Sequence, residues 1–164
     1  MGRLSTEEFI QAEKSSVHLV LDNVRSAHNV GSIFRTADAF RCQQIVLGGH
    51  TPIPPHPDLE KTALGATDCV EWTHTDAPSI WLKNAPLKKI GVEITERAHK
   101  LDAFEWPSQE FALIFGHEVT GISDELLGLC DQVIAIPQFG TKHSLNVSVS
   151  AGIVLWDHFT KKRA

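Results

Sequence analysis

Short apolar runs alternate with amphipathic segments along this chain, and the alternation predicts strands that alternate with helices. Apolar runs of strand length occur at 17–23, 44–48, 70–73, 88–94, 111–115 and 132–136. Segments with helical spacing or helix-start residues lie between them, at 5–16, 29–39, 58–64, 76–84, 123–129 and 144–161. Strands alternating with helices throughout a chain favour an α/β fold with a mainly parallel sheet covered by helices on both faces.

The predicted helix at 29–39 carries one apolar stripe and one notable charged residue. Asn29 is expected to cap the helix. Arg35 lies about 140° around the helix from the stripe and should therefore face solvent. It either pairs with Asp38 as an ordinary surface arginine, or it serves a site at the end of the preceding strand, with Gly31 leaving room beside it. The stripe consists of Val30, Ile33, Phe34 and Ala37.

The predicted final helix is apolar on two faces. One stripe contains Leu145, Val149, Ile153 and Trp156, and the other contains Val147, Ala151 and Val154. The two stripes lie about 160° apart, so the helix needs two surfaces to pack against. One of these surfaces is the sheet of its own subunit. The other would be a second subunit, which the small residues Ser148, Ser150, Ala151 and Gly152 allow to approach closely.

Composition and charge narrow the class of protein. The chain has 164 residues, 42% of them apolar and 21% charged, which predicts a single domain spanning 1–164 without an added RNA-binding domain. Three widely spaced cysteines, no signal peptide and no long apolar segment predict a reduced cytoplasmic protein outside the membrane. The net charge of −5 has the wrong sign for holding nucleic acid by bulk electrostatics, but it permits a local basic patch.

Candidate chemistry concentrates in the last third of the chain, where two apolar runs each end in a glycine-containing loop. The loop at 116–121 lacks the serine of a nucleophile elbow, and the sequence has neither a dinucleotide-binding nor a Walker motif. Nine histidines show no metal-ligand spacing, so no metal is expected. Glu118 either bonds nearby backbone N–H groups or pairs with Arg35. Ser144 and Asn146 are equally plain helix caps.

Three segments in order, Asn29 to Thr36, Phe115 to Gly121, and Ile136 to Gly140 with Ser144 to Val149, closely resemble the motifs of the SpoU (TrmH) family of RNA ribose 2'-O-methyltransferases. The resemblance extends from about Val17 to Trp156. It implies a fold of the SPOUT class with a C-terminal deep trefoil knot, a rare exception among protein topologies. It also implies a homodimer packed through the knot region, tRNA or rRNA as substrate, and S-adenosylmethionine bound in a bent shape.

The resemblance also assigns roles to individual residues. The cofactor would contact three segments through Phe115, Gly116, Glu118, Gly121, Ile136, Gln138, Ser144, Leu145 and Asn146. Arg35 would hold the RNA phosphate and direct the ribose 2'-hydroxyl toward the methyl group, with Glu118 and Asn29 orienting it. Ser144 and Asn146 would shape the methyl-transfer pocket. Gln138 and Ser150 depart from the residues that the family often has there.

The RNA would have to be held by local basic residues, and the expected ones are Arg25, Arg35, Arg41, Lys61 and Lys142. Each is otherwise an ordinary surface charge. Two rival functions stay open: an inactive RNA-binding paralogue, and a methyltransferase for a small molecule or protein.

Overall fold

A computed structural model describes residues 4–163, which form one parallel sheet with helices on both faces. The strands are β1 (Val17–Asp22), β2 (Gln44–Gly48), β3 (Trp72–Thr75), β4 (Lys88–Val92), β5 (His99–Lys100), β6 (Phe111–Phe115) and β7 (Gln132–Ala135). The helices are α1 (Thr6–Gln11), α2 (Ala27–Ala39), α3 (Pro57–Ala63), α4 (Pro78–Asn84), α5 (Asp124–Leu129) and α6 (Val147–Arg163). Over residues 4–163 the sheet has seven strands in the order β3-β2-β1-β6-β4-β7-β5, and every pairing is parallel. The predicted α/β class with a parallel sheet and helices on both faces is therefore confirmed.

The two central strands are apolar on both sides because the sheet lies between two helical layers. In β1, Leu19 and Leu21 face the core shared with α2, α3 and α6, whereas Val20 faces the core shared with α4 and α5. Strand β6 alternates in the same way, with Leu113 in the first core and Ile114 in the second. All side chains of β1 and β6 are buried, which explains the unbroken apolar run of β6 and the apolar residues on both faces of β1. The buried polar residues of β1 are His18 and Asp22.

Several predicted boundaries were wrong by a few residues. Helix α2 begins earlier than predicted, because Ser26 rather than Asn29 occupies the cap and its hydroxyl accepts the Asn29 N–H at 3.3 Å. Helix α3 begins at Pro57, so Asp58 lies within its first turn instead of capping it. Strand β3 begins at Trp72 instead of residue 70, and α4 begins at Pro78 instead of residue 76.

Helix α6 begins at Val147, three residues later than predicted, and its two apolar stripes have different surroundings. Val147, Ala151 and Val154 are buried against the sheet and α2. The other stripe remains largely open in the single chain, with Leu145, Val149, Ile153 and Trp156 between 37 and 58% exposed.

Candidate active site

A cavity of about 310 Å³ lies at the carboxyl edge of the sheet, where β4, β6 and β7 end and α6 begins. This is the edge at which open parallel sheets bind ligands. The three predicted segments converge there, and every residue expected to bind the cofactor lines the cavity. Those residues are Phe115, Gly116, Glu118, Gly121, Ile136, Gln138, Ser144, Leu145 and Asn146.

The cavity also has walls that the sequence did not indicate. The chain leaving β4 contributes Val92, Glu93 and Ile94. The segment was missed because its position depends on β4 lying between β6 and β7, and an alternating strand–helix pattern does not specify strand order. Ser150, noted above as a departure from the family pattern, lies in the wall as well.

The loop after β6 is a tight turn that closes on itself. His117 and Gly121 exchange backbone hydrogen bonds of 3.0 and 2.9 Å. The Nδ1 atom of His117 accepts the N–H groups of Val119 at 3.0 Å and Thr120 at 3.2 Å. A side chain at Gly116 would overlap the backbone of Gly121, and Gly121 itself has φ 73°, so the turn requires both glycines.

Glu118 joins this loop to the start of α2. One carboxylate oxygen accepts the Arg25 N–H at 3.0 Å, and the other accepts the Ser26 N–H and the Asn29 side-chain amide, each at 3.0 Å. Partial burial alone would raise the pKa of Glu118. The hydrogen bonds from Arg25, Asn29 and Ser26 outweigh the burial, so the pKa lies below its ordinary value and the carboxylate stays charged.

Asn29 and Asn146 continue the connection to α6. The Asn146 amide donates to Asn29 Oδ1 at 3.0 Å. Asn146 Oδ1 in turn accepts the Ser148 N–H at 2.9 Å and the Ser148 hydroxyl at 2.6 Å, which places Asn146 as the cap of α6. Glu118, Asn29 and Asn146 thus form one hydrogen-bonded chain that fixes the loop after β6, the start of α2 and the start of α6 relative to one another.

Arg35 takes no part in this series of hydrogen bonds. Its side chain is exposed on α2, is absent from the cavity wall, and makes no hydrogen bond or ion pair within residues 4–163. Neither expected pairing of Arg35, with Glu118 or with Asp38, occurs. Gly31 does not leave open space beside it either, because α3 packs there and a side chain on Gly31 would overlap Leu59 O and Thr62 Oγ1.

The other expected RNA-binding residues are spread over the surface. Arg25 lines a pocket next to the cavity, together with His50 and His117. Lys142 is exposed on the loop leading to α6, and Lys61 is exposed on α3. Arg41 follows α2 and its carbonyl accepts the Ser15 N–H at 2.7 Å, just before β1 begins. Arg41 therefore lies at the opposite edge of the sheet from the cavity.

The residues present fit an adenosyl cofactor. The cavity volume lies within the usual range for small-molecule sites, and its wall combines backbone and polar side chains with apolar ones such as Leu145 and Ile136. Gly116 and Gly121 also line the cavity. Within residues 4–163, no group of three or more histidine, cysteine or acidic side chains is placed to hold a metal ion. No described helix has the length and apolarity needed to cross a membrane.

Comparison with known proteins identifies relatives of this chain. The family model described as the SpoU rRNA methylase family matches residues 16–156. A tRNA (guanosine(18)-2'-O)-methyltransferase of Thermus thermophilus is 31% identical over 162 residues, covering 94% of this chain and 80% of the relative. A 23S rRNA (guanosine-2'-O-)-methyltransferase of Acinetobacter baylyi is 28% identical over 155 residues, covering 92% of this chain. This chain spans only 62% of the length of the Acinetobacter protein.

A solved structure has the same fold. The rRNA methyltransferase of Sinorhizobium meliloti, described with S-adenosylmethionine bound, aligns with a TM-score of 0.82 at 24% identity. The alignment covers 93% of this chain and 60% of the other.

Proposed function

The chain belongs to the SpoU rRNA methylase family, and we propose that it transfers a methyl group from S-adenosylmethionine to a ribose 2'-hydroxyl in tRNA or rRNA. The observation that carries the proposal is the cavity, whose wall is built from the loops after β6 and β7 and from the start of α6. The names of the relatives support the same chemistry, since the Thermus and Acinetobacter proteins are both RNA 2'-O-methyltransferases.

The side chains would divide the work between two sides of the cavity. Bound S-adenosylmethionine supplies an activated methyl group. Asn146 and Ser144 would shape the pocket at the start of α6, while Glu118 and Asn29 hold α2 in position beside it. Arg35 would bind the RNA phosphate and stabilise charge, because a guanidinium stays protonated at any physiological pH and is a poor general base.

We propose further that the active form is a homodimer through the exposed stripe of α6. Val149, Ile153 and Trp156 form an apolar face that continues from Leu145 at the cavity wall. Arg35 has no partner within the described part of one chain, which supports a site completed across the interface. The deep trefoil knot implied by the family resemblance stays a prediction. A cytoplasmic location is also proposed, because Cys42, Cys69 and Cys130 carry free thiols.

The proposal predicts that Arg35→Ala lowers RNA methylation about 100-fold or more while leaving cofactor binding intact, because Arg35 lies outside the cavity wall. The measurement is incorporation of labelled methyl groups from S-adenosylmethionine into total tRNA and rRNA, followed by nucleoside analysis. Arg41→Ala is the matched control: it also removes an exposed arginine, but from the opposite edge of the sheet, and should change the rate less than about 3-fold.

The same assay separates the alternatives. Binding of the cofactor without any 2'-O-methyl nucleoside in either RNA fraction would contradict the proposal and favour the inactive paralogue. Labelling of a small-molecule or protein fraction instead of RNA would favour a methyltransferase for a small molecule or protein. The net charge of −5 is compatible with such a substrate.

A further inference from the structure

Glu93 is an acidic residue in the cavity wall that takes no part in the hydrogen bonds joining Glu118, Asn29 and Asn146. It follows directly after β4, which ends at Val92. Strand β4 is separated from β1 by β6, so Glu93 lies about 10 Å along the sheet edge from the strand that leads to Arg25 and α2. Glu93 therefore stands away from the side of the cavity where Asn29 and Asn146 meet.

Backbone hydrogen bonds hold the Glu93 carboxylate in place. Its Oε1 accepts the Ile94 N–H at 3.0 Å, and its Oε2 accepts the Ile122 N–H at 3.0 Å. The carboxylate can approach this closely only because Gly121 has no side chain, since a Cβ there would overlap Oε2. A carboxylate accepts about four hydrogen bonds, so each oxygen keeps acceptor capacity for a ligand in the cavity.

Two fixed acceptor oxygens side by side suit a pair of neighbouring hydroxyl groups. In other nucleotide-binding α/β folds, a carboxylate near a strand end accepts hydrogen bonds from the ribose of the cofactor. We propose that Glu93 accepts hydrogen bonds from the ribose hydroxyls of bound S-adenosylmethionine, and so selects a ribonucleoside over a deoxyribonucleoside cofactor. This inference rests on the proposed function, because it presupposes that the cavity binds an adenosyl cofactor.

The test compares the affinities of three ligands for three forms of the protein and needs no catalysis. S-adenosylhomocysteine and its 2'-deoxy and 3'-deoxy analogues are titrated by calorimetry into the wild-type protein, Glu93→Gln and Glu96→Gln. The wild type should bind at least one deoxy analogue about 10-fold or more weakly than the ribose form, since a hydrogen bond to a charged group is lost. In Glu93→Gln this ratio should fall to about 3-fold or less. Glu96 is an exposed glutamate on the same loop that does not line the cavity, so Glu96→Gln should keep the wild-type ratio.

The ratio distinguishes ligand contact from loop support. If Glu93 only supported the loop after β6, Glu93→Gln would weaken the binding of all three ligands by one factor and leave the ratio unchanged, which would overturn the inference. Equal affinity of the wild type for ribose and deoxy forms would also overturn it, whatever the variants do. Failure of the wild type to bind S-adenosylhomocysteine at all would instead refute the proposed function, and the inference with it.

Discussion

Glu118 both holds the start of α2 in place and lines the cavity. Its carboxylate accepts three hydrogen bonds from the start of α2, yet it also lines the cavity. The bond from Ser26 satisfies an N–H group that the helix start leaves unpaired, and the bond from Arg25 holds the residue before the cap. A negative charge at that position is also favoured by the helix dipole.

The depressed pKa of Glu118 predicts a pH-dependent contribution to stability. The pKa is lower in the folded chain, so the contribution is fully present above the ordinary carboxyl pKa of about 4.3 and is lost as the pH falls through the folded value. Glu118→Gln should lower the free energy of unfolding by about 1 kcal/mol at pH 7, a value reduced for partial solvent exposure, and by much less near pH 3.

Urea unfolding at pH 7, 5 and 3 measures this difference. Glu96→Gln, which removes an exposed carboxylate without hydrogen bonds of this kind, should match the wild type at all three pH values. An equal loss for Glu118→Gln at pH 3 and pH 7 would show that the charge of Glu118 does not contribute.

At the residue scale, the sequence identified the segments that line the cavity better than it identified the contacts within them. Glu118 was left with two possible partners, and the structure selects backbone N–H groups over Arg35. Glu93 carried no signal at all, because an acidic residue after an apolar run is common at strand ends and its neighbours Gly121 and Ile122 are distant in sequence.

At the element scale, the contact between α2 and α3 depends on a missing side chain. Gly31 lies where the two helices meet, and the backbone of α3 occupies the space that a Cβ would need. Gly31→Ala should therefore destabilise the fold by about 2–3 kcal/mol, since a backbone contact cannot yield as a flexible side chain can.

Denaturant midpoints test the helix contact, with Gly128→Ala as the matched control. Gly128 lies within α5 with no described atom close enough to meet a Cβ, so alanine there should stabilise the protein by about 0.5–1 kcal/mol. A Gly31→Ala variant as stable as the wild type would mean that α3 can move away from α2 freely.

Strands with more buried positions were predicted more accurately from the sequence. The runs that became β1, β2 and β6 were predicted almost to the residue because nearly every position is buried. Strands β3 and β5 lie at the two edges of the sheet and have no fully buried side chain, so β3 was misplaced and β5 was missed. The start of α6 was placed too early because Ser144 and Asn146 are both plausible caps, and the structure uses Asn146.

For the whole molecule, the exposed apolar stripe of α6 predicts the oligomeric state. The protein should sediment as a dimer at micromolar concentration, and Val149→Lys should weaken the dimer about 100-fold or more, because a two-fold interface would bury the new charge twice. Ile80→Lys is the control, since Ile80 is equally exposed but lies on α4, on the other face of the sheet. A wild-type monomer at that concentration would contradict the dimer.

The whole-molecule features that the sequence predicted are those that follow from local pattern. Strand–helix alternation predicted the parallel sheet. The two apolar faces of the final helix predicted two packing surfaces, and in the single chain one face is buried and the other is exposed. Strand order was beyond such reasoning, because β4 could pair with any later strand of similar burial. That order determines which loops meet, and it explains why the wall contributed by residues 92–94 was missed.

Strand order also constrains how this chain can fold. The first three strands pair with neighbours in sequence, so residues 17–75 can form a partial sheet early. Strand β4 pairs with β6 and β7, which come later in the chain, so it has no sheet to join until β6 has docked beside β1. Such non-local pairings are slow to form because the intervening loops must close first. During synthesis, the free edge of β1 would stay unpaired until residues 111–115 emerge, and the ligand cavity would be among the last parts of the molecule to assemble.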